Sequence, residues 1–180
     1  IMRDSIGKYG EVLIHYSIKN DNNTYIDTLQ EFFPKDVSET IIDEIISYSK
    51  ARYLRQLDLS NSDLNISLEL LPVSKYKRTE TGYIATEYGK ADEKRINGQT
   101  IYKENELFIF KIENKGSKDA FFQILNIQPN NYVTVLIPEK GTNEKDIKIE
   151  AGQTVIFESK IMQITHPFGN DIFKLIASRK

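Results

Sequence analysis

The chain has only two histidines, His15 and His166, and it has no cysteine. Nucleophilic catalysis needs a nucleophile, a base and a group that orients the base. His15 falls within an alternating strand pattern, and His166 precedes Pro167 and Gly169, where a chain reversal is expected. No G-x-S-x-G segment accompanies either histidine. The sequence therefore predicts no catalytic residues, and a serine or carboxylate hydrolase is the least favoured interpretation.

Metal and cofactor chemistry is equally unsupported by the spacing. Two distant histidines without a cysteine give no tetrahedral ligand set, and no glycine pattern suits a phosphate. A glycosidase would need two carboxylates about 5–10 Å apart. The glutamates of the second half single out no such pair; they are Glu106, Glu113, Glu139, Glu144, Glu150 and Glu158. We predict no metal and no cofactor.

The tyrosines suggest a different kind of site. Four of them lie among basic residues in the polar stretch 74–106, and protein interfaces favour tyrosine together with arginine. The candidate interaction residues are Tyr76, Arg78, Tyr83, Tyr88, Arg95 and Tyr102. An alternative reading is that these rings clamp a loop onto the body of the domain.

Short apolar segments over 107–178 predict the strands that would carry such a site. Their residues alternate in character, and Pro, Gly and Asn separate them, as in LFIFKIEN, AFFQILNIQPNN, YVTVLIP and DIFKLIAS. Alternation marks a strand with one buried face, and strands repeated at about ten-residue spacing indicate a sandwich or barrel. We predict a mainly β fold, a sandwich of about eight to ten antiparallel strands.

The first half predicts a strand over 10–19, a turn at 20–23 and a long packed helix over 36–57. Asp36 and Glu39 form a D-x-x-E capping box for that helix. Between turn and helix, TYIDTLQEFF is ambiguous but fits a helical face better than a strand. A clean strand follows over 64–73. The expected organisation is an extension over 1–59 and a sandwich over 60–180 with a long polar loop at 74–106. An irregular hairpin through 83–88 is an alternative for part of that loop.

Composition limits the classes of partner. The 180 residues carry a net charge of −2 with mixed signs, so neither nucleic acid nor an anionic membrane is expected. No run of 18 apolar residues occurs, and the start lacks the apolar core of a signal peptide. The lack of cysteine suits a reducing cytoplasm, with a periplasmic or exported protein left open. The opening residues suggest a fragment of a longer protein.

Several ordered turns resemble a small β domain of uncharacterised function that commonly follows caspase-like peptidase domains in bacteria. The matching residues are Asn114 and Gly116, 125–131, 136–138, 152–154 and 167–178. The segments ARYLRQL and SLELLPV resemble the lead-in to that domain, so the resemblance covers about residues 50–180. Residues 1–49 are not explained by it.

This resemblance implies an accessory module, since the chain cannot supply the cysteine of a caspase-like His/Cys dyad. The expected function is non-catalytic recognition or regulation. The expected partner is a caspase-like peptidase domain in the same chain, or the substrate of such a peptidase. The alternative is a sandwich module that binds a glycan or a peptide.

Overall fold

A computed structural model describes residues 2–6, 12–19, 25–31, 34–58, 64–139, 141, 147–166 and 168–179. It contains one long helix, α1 (Pro34–Gln56), and a short 3₁₀ helix at Ala91–Lys94. The strands are β1 (Met2–Ile6), β2 (Val12–Lys19), β3 (Tyr25–Glu31), β4 (Ile66–Thr79), β5 (Gly82–Tyr88), β6 (Arg95–Ile96), β7 (Gln99–Thr100), β8 (Leu107–Asn114), β9 (Ala120–Ile127), β10 (Val133–Ile137), β11 (Lys148–Ile149), β12 (Thr154–Ile156), β13 (Met162–Gln163) and β14 (Ile172–Ser178). The predicted turn at 20–23 lies outside the described residues.

The chain divides into two compact units. The first comprises Ile1–Asp58, Asn126–Thr134 and Gly169–Ile172. The second comprises Leu59–Leu125, Val135–Phe168 and Phe173–Lys180.

Two sheets carry the β-sandwich, and within the described residues they contain nine strands. One sheet has the order β12-β8-β4-β5, with β13 also paired to β8. The other has the order β10-β9-β11, with β14 also paired to β9. The predicted mainly β fold with a sandwich of eight to ten strands is confirmed.

Alternate residues of the central strands form the main core. Phe108, Phe110 and Ile112 of β8 are buried with Phe122 and Ile124 of β9. The period of two follows from the pleat, which sends successive side chains to opposite faces. The intervening Ile109 is also buried, in a smaller cluster with Leu71 and Ala85. Strand β8 is therefore covered on both faces.

The segment 74–106 is not the long polar loop that its composition predicts. Strand β4 continues to Thr79, and β5 returns antiparallel to it from Gly82. The 3₁₀ helix and the small β6–β7 hairpin follow. The prediction was wrong because both faces of an exposed two-stranded hairpin can be polar while its two strands still pair with each other.

Helix α1 begins two residues before the predicted start, with Pro34 in its first turn, where the missing N–H costs nothing. Asp36 therefore lies inside the helix rather than before its first residue. The helix, predicted to be packed, buries only part of its apolar surface. Ala51 is fully buried, whereas Ile42, Ile45, Ile46 and Tyr53 remain 43–65% exposed.

The first unit also contains a three-stranded antiparallel sheet in the order β1-β2-β3. Strand β3 covers most of the TYIDTLQEFF segment, for which a helix was favoured. Its pairing with β2, from Ile14 opposite Glu31 to Lys19 opposite Tyr25, supplies the backbone bonds that an isolated helix would have made internally. Tertiary pairing has overridden an ambiguous local period.

Candidate interaction face

Strand β4 extends beyond the end of its pairing with β8, and this difference in length leaves an exposed two-stranded hairpin. Strand β8 pairs with β4 only from Ile66 to Val73. From Lys75 to Thr79, β4 pairs with β5 alone. Register shifts near Val73 and Lys75 mark the point where the two-stranded part begins, and such bulges increase the local twist.

A side-chain hydrogen bond and a glycine stabilise the turn of this hairpin. The Thr79 hydroxyl donates to the backbone carbonyl oxygen of Gly82 at 3.1 Å. Gly82 itself has a φ of +145°, which only glycine adopts readily. Lys75 and Glu87 form an ion pair at 2.5 Å near the base, and the Lys75 ammonium holds the pKa of the Glu87 carboxyl below its usual range. Both side chains are exposed, so this pair adds little stability.

Three of the six candidate residues share one face of the hairpin. Tyr76 and Arg78 are two positions apart on β4, and Arg78 lies directly opposite Tyr83 on β5. The two tyrosine rings meet edge to face, with centroids 5.6 Å apart and planes at 82°. Each tyrosine is 53% exposed. We call Tyr76, Arg78 and Tyr83 the hairpin face.

Two other candidate tyrosines are packing residues. The Tyr88 hydroxyl donates to Glu158 Oε1 at 3.1 Å, and partial burial together with this carboxylate raises the pKa of Tyr88. Its ring packs against the small cluster around Ile109. These contacts correspond to the alternative reading, in which the rings hold the 74–106 segment onto the sandwich.

Tyr102 is held more deeply still. Its ring centroid lies 5.3 Å from that of Phe108, and its hydroxyl donates to the Leu70 carbonyl oxygen at 3.2 Å. The Lys94 ammonium lies 5.5 Å from the Tyr102 ring centroid and also bonds Glu106 at 2.7 Å. Burial, with the carboxylates of Glu106 and Glu93 nearby, raises the pKa of Tyr102 strongly.

The sixth candidate, Arg95, lies on β6 and is exposed. Its guanidinium is 3.4 Å from the Asp92 carboxylate, three residues earlier. The structure therefore separates the predicted set into an exposed hairpin face, two packing tyrosines and one arginine on a neighbouring hairpin.

The structure also shows where the residues considered for catalysis lie. His15 lies on β2, opposite Arg3 and Gln30 in the sheet register. His166 is exposed, and its ring lies 3.8 Å from that of Phe168. Several of the glutamates form ion pairs with lysines: Glu106 with Lys94, Glu113 with Lys115 at 3.4 Å, and Glu139 with Lys160. Glu144 lies outside the described residues.

Among the residues that the structure describes, no three His, Cys, Asp or Glu side chains converge to hold a metal ion. Within the same part of the chain, no helix combines the length and apolar character needed to cross a bilayer.

Sequence reasoning missed a buried asparagine that links two turns of the sandwich. Asn114 is fully buried at the end of β8. Its amide Nδ2 donates to the carbonyl oxygens of Lys118 at 2.8 Å and Glu150 at 3.1 Å. The Gly116 N–H donates to its Oδ1 at 3.0 Å. The N-x-G pattern indicated a turn here, but nothing in the sequence points to the contact with Glu150.

A second missed arrangement lies in the first unit. Arg55 of α1 donates from Nη1 to Asn131 Oδ1 at 2.7 Å and from Nη2 to the Gln128 carbonyl oxygen at 3.0 Å. Asn131 has a φ of +69°, which asparagine tolerates better than most residues. The bidentate arginine thus fixes the turn that follows β9.

Comparisons of this chain with protein-family models, with curated proteins and with solved structures find no match.

Proposed function

We propose that this chain is a non-catalytic recognition module that binds a protein partner through the hairpin face. The observation that carries the proposal is the exposed tyrosine pair beside Arg78 on a hairpin with fixed geometry. Tyrosine and arginine are enriched among the residues that contribute most binding energy at interfaces. A tyrosine already held by ring packing loses little side-chain freedom on binding, which favours affinity.

The proposed context is a caspase-like peptidase system. The ordered turns over residues 50–180 support this context, because they resemble the domain that follows such peptidases. The partner is then a caspase-like peptidase domain, in the same chain or in a companion protein, or the substrate of that peptidase. The absence of cysteine supports an accessory role, since this chain has no nucleophile for such chemistry.

Isothermal titration of the purified chain with the companion peptidase domain, and separately with its substrate, tests the proposal. Tyr76→Ala and Tyr83→Ala should each weaken binding by about 30-fold, the effect of losing an interface hot spot of about 2 kcal/mol. Tyr132→Ala is the matched control, because Tyr132 is also exposed, at 66%, but lies outside the hairpin face. Binding that survives both hairpin substitutions unchanged would refute the proposed surface.

The glycan alternative predicts a different response. Sugar rings stack on flat aromatic platforms, and the 82° angle between the Tyr76 and Tyr83 rings gives no shared platform. We therefore expect no saturable heat with a panel of oligosaccharides. Saturable sugar binding that both tyrosine substitutions abolish would favour the glycan alternative over the protein partner.

A further inference from the structure

Helix α1 presents an apolar stripe that remains exposed in the part of the chain that the structure describes. Ile42 is 55% exposed, Ile46 43% and Tyr53 65%, with Ile45 at 48% on one side. At 3.6 residues per turn, Ile42, Ile46 and Tyr53 fall within an arc of about 40° on the helix surface. An aligned patch of large apolar side chains on an exposed helix face marks an interaction surface.

Charges flank this stripe unevenly. Asp43 and Lys50 are both exposed and lie on the same flank, about 80–100° from the line through Ile42. They are seven residues apart, about 10 Å along the axis, which is too far for an ion pair within the helix. No ion pair involving either residue is found in the described part of the chain. Arg52 is exposed on the opposite flank.

We infer that two copies of this chain associate through the α1 stripe, with the two helices antiparallel. In an antiparallel pair related by a twofold axis, each flank of one helix meets the same flank of its mate. Asp43 of each copy then faces Lys50 of the other, which gives two equivalent ion pairs along the same side of the apolar contact. Flanking charges of this kind set the orientation of paired helices.

The parallel arrangement is disfavoured by the same charges. In a parallel pair, the opposite flanks of the two helices meet at the same position along the axis, so Lys50 of one copy would face Arg52 of the other. Like charges at these positions repel. Antiparallel pairing therefore satisfies both the apolar stripe and its charged flank, whereas parallel pairing satisfies only the stripe.

Sedimentation velocity over a concentration series tests the inference with charge reversals. The native chain should show a reversible monomer–dimer equilibrium. Asp43→Lys and Lys50→Asp should each raise the dimer dissociation constant at least about fivefold, because each reversal replaces two attractive pairs with two repulsive ones. The double variant restores both pairs and should return to near the native constant. Glu104→Lys, an exposed change of the same charge far along the sequence, should have no effect.

Single-cysteine variants report the helix orientation, because the native chain has no cysteine. In the antiparallel pair, position 42 of one copy lies about 3 Å along the axis from position 53 of the other, whereas two copies of position 42 are about 14 Å apart. Oxidation of a mixture of Ile42→Cys and a tagged Tyr53→Cys chain should therefore give only the mixed cross-link, since a disulfide spans less than about 7 Å between Cα atoms.

A chain that stays monomeric up to about millimolar concentration would overturn the inference. So would a dimer that the charge reversals leave unchanged, or cross-links between identical positions. The Tyr76→Ala, Tyr83→Ala double variant should dimerise normally, which separates failure of this inference from failure of the proposed hairpin interface.

Discussion

Replacement of Asn114 offers the sharpest test of how the sandwich is held together. Asn114→Ala removes two amide donors from the carbonyl oxygens of Lys118 and Glu150, and one acceptor from the Gly116 N–H. The site is fully buried, so water replaces these partners poorly. Each net hydrogen bond is worth about 1 kcal/mol, and each polar group left unsatisfied adds to the loss, so we expect about 3 kcal/mol.

That loss is a large fraction of the roughly 5–15 kcal/mol by which a domain of this kind is stable. For a chain of this size, about 3 kcal/mol corresponds to a fall in melting temperature of about 6–12 °C. Calorimetry or circular dichroism would measure it directly. Asn65→Ala is the matched control, because Asn65 is exposed just before β4. It should melt within about 2 °C of the native chain, as expected for a surface substitution.

Asn114→Asp adds a pH dependence with a defined sign. A buried carboxylate facing two carbonyl oxygens should have its pKa raised, because burial and these oxygens both disfavour the charged form. The folded state then holds its proton more tightly than the unfolded state, so stability falls as pH rises above about 4, the unfolded value. We expect Asn114→Asp to be more stable at pH 5 than at pH 8. Equal melting temperatures at both pH values, or an Asn114→Ala variant as stable as its control, would refute this account of the site.

Three further predictions follow from backbone and burial. Gly169→Ala should lower the free energy of unfolding, measured by chemical denaturation, by about 1 kcal/mol more than Gly82→Ala does. Both glycines have positive φ, but only at Gly169 would an added Cβ lie 2.9 Å from Pro129. Equal losses of stability would contradict this. Tyr102→Phe should cost about 1 kcal/mol at pH 7 for the lost hydrogen bond. The stability of the Tyr102→Phe variant should decline less between pH 10 and 12 than that of the native protein. The reason is that the raised pKa of Tyr102 in the folded state destabilises the native protein once the unfolded tyrosine ionises. Parallel pH profiles of the two proteins would argue against this. Deleting β14, whose Phe173 ring lies 5.4 Å from that of Phe108, should leave an insoluble or unfolded chain, and a cooperative melt near that of the intact protein would contradict this.

The sandwich strands were predictable because their buried residues follow an alternating pattern that is local in the sequence. Phe108, Phe110 and Ile112 alternate with less apolar positions, and the predicted β8 has the same bounds as the observed strand. β9 and β14 were also predictable from their apolar segments, and the residues of β14 are mostly half-buried.

The errors occur where burial depends on partners distant in the sequence. The apolar residues of α1 surround the helix, so the sequence could not say that Ile42 and Ile46 would remain exposed while Ala51 is buried. The β4–β5 extension has no apolar alternation, because neither of its faces near the tip is covered.

The candidate residues were chosen from composition. Composition could not separate the exposed Tyr76, Arg78 and Tyr83 from the packing residues Tyr88 and Tyr102. That separation depends on Glu158 and on Phe108, which become neighbours only when the sandwich folds. Exposure, rather than residue type, distinguishes an interface tyrosine from a packing one.

Hydrogen–deuterium exchange with and without the companion peptidase domain tests the central proposal most directly, because it locates the contact without altering the chain. The account predicts slowed exchange in the β4–β5 extension, over 74–83, with the amides of β8 and β9 unchanged. No protection anywhere at saturating peptidase, or protection confined to segments outside this hairpin, would contradict a recognition module that acts through Tyr76, Arg78 and Tyr83.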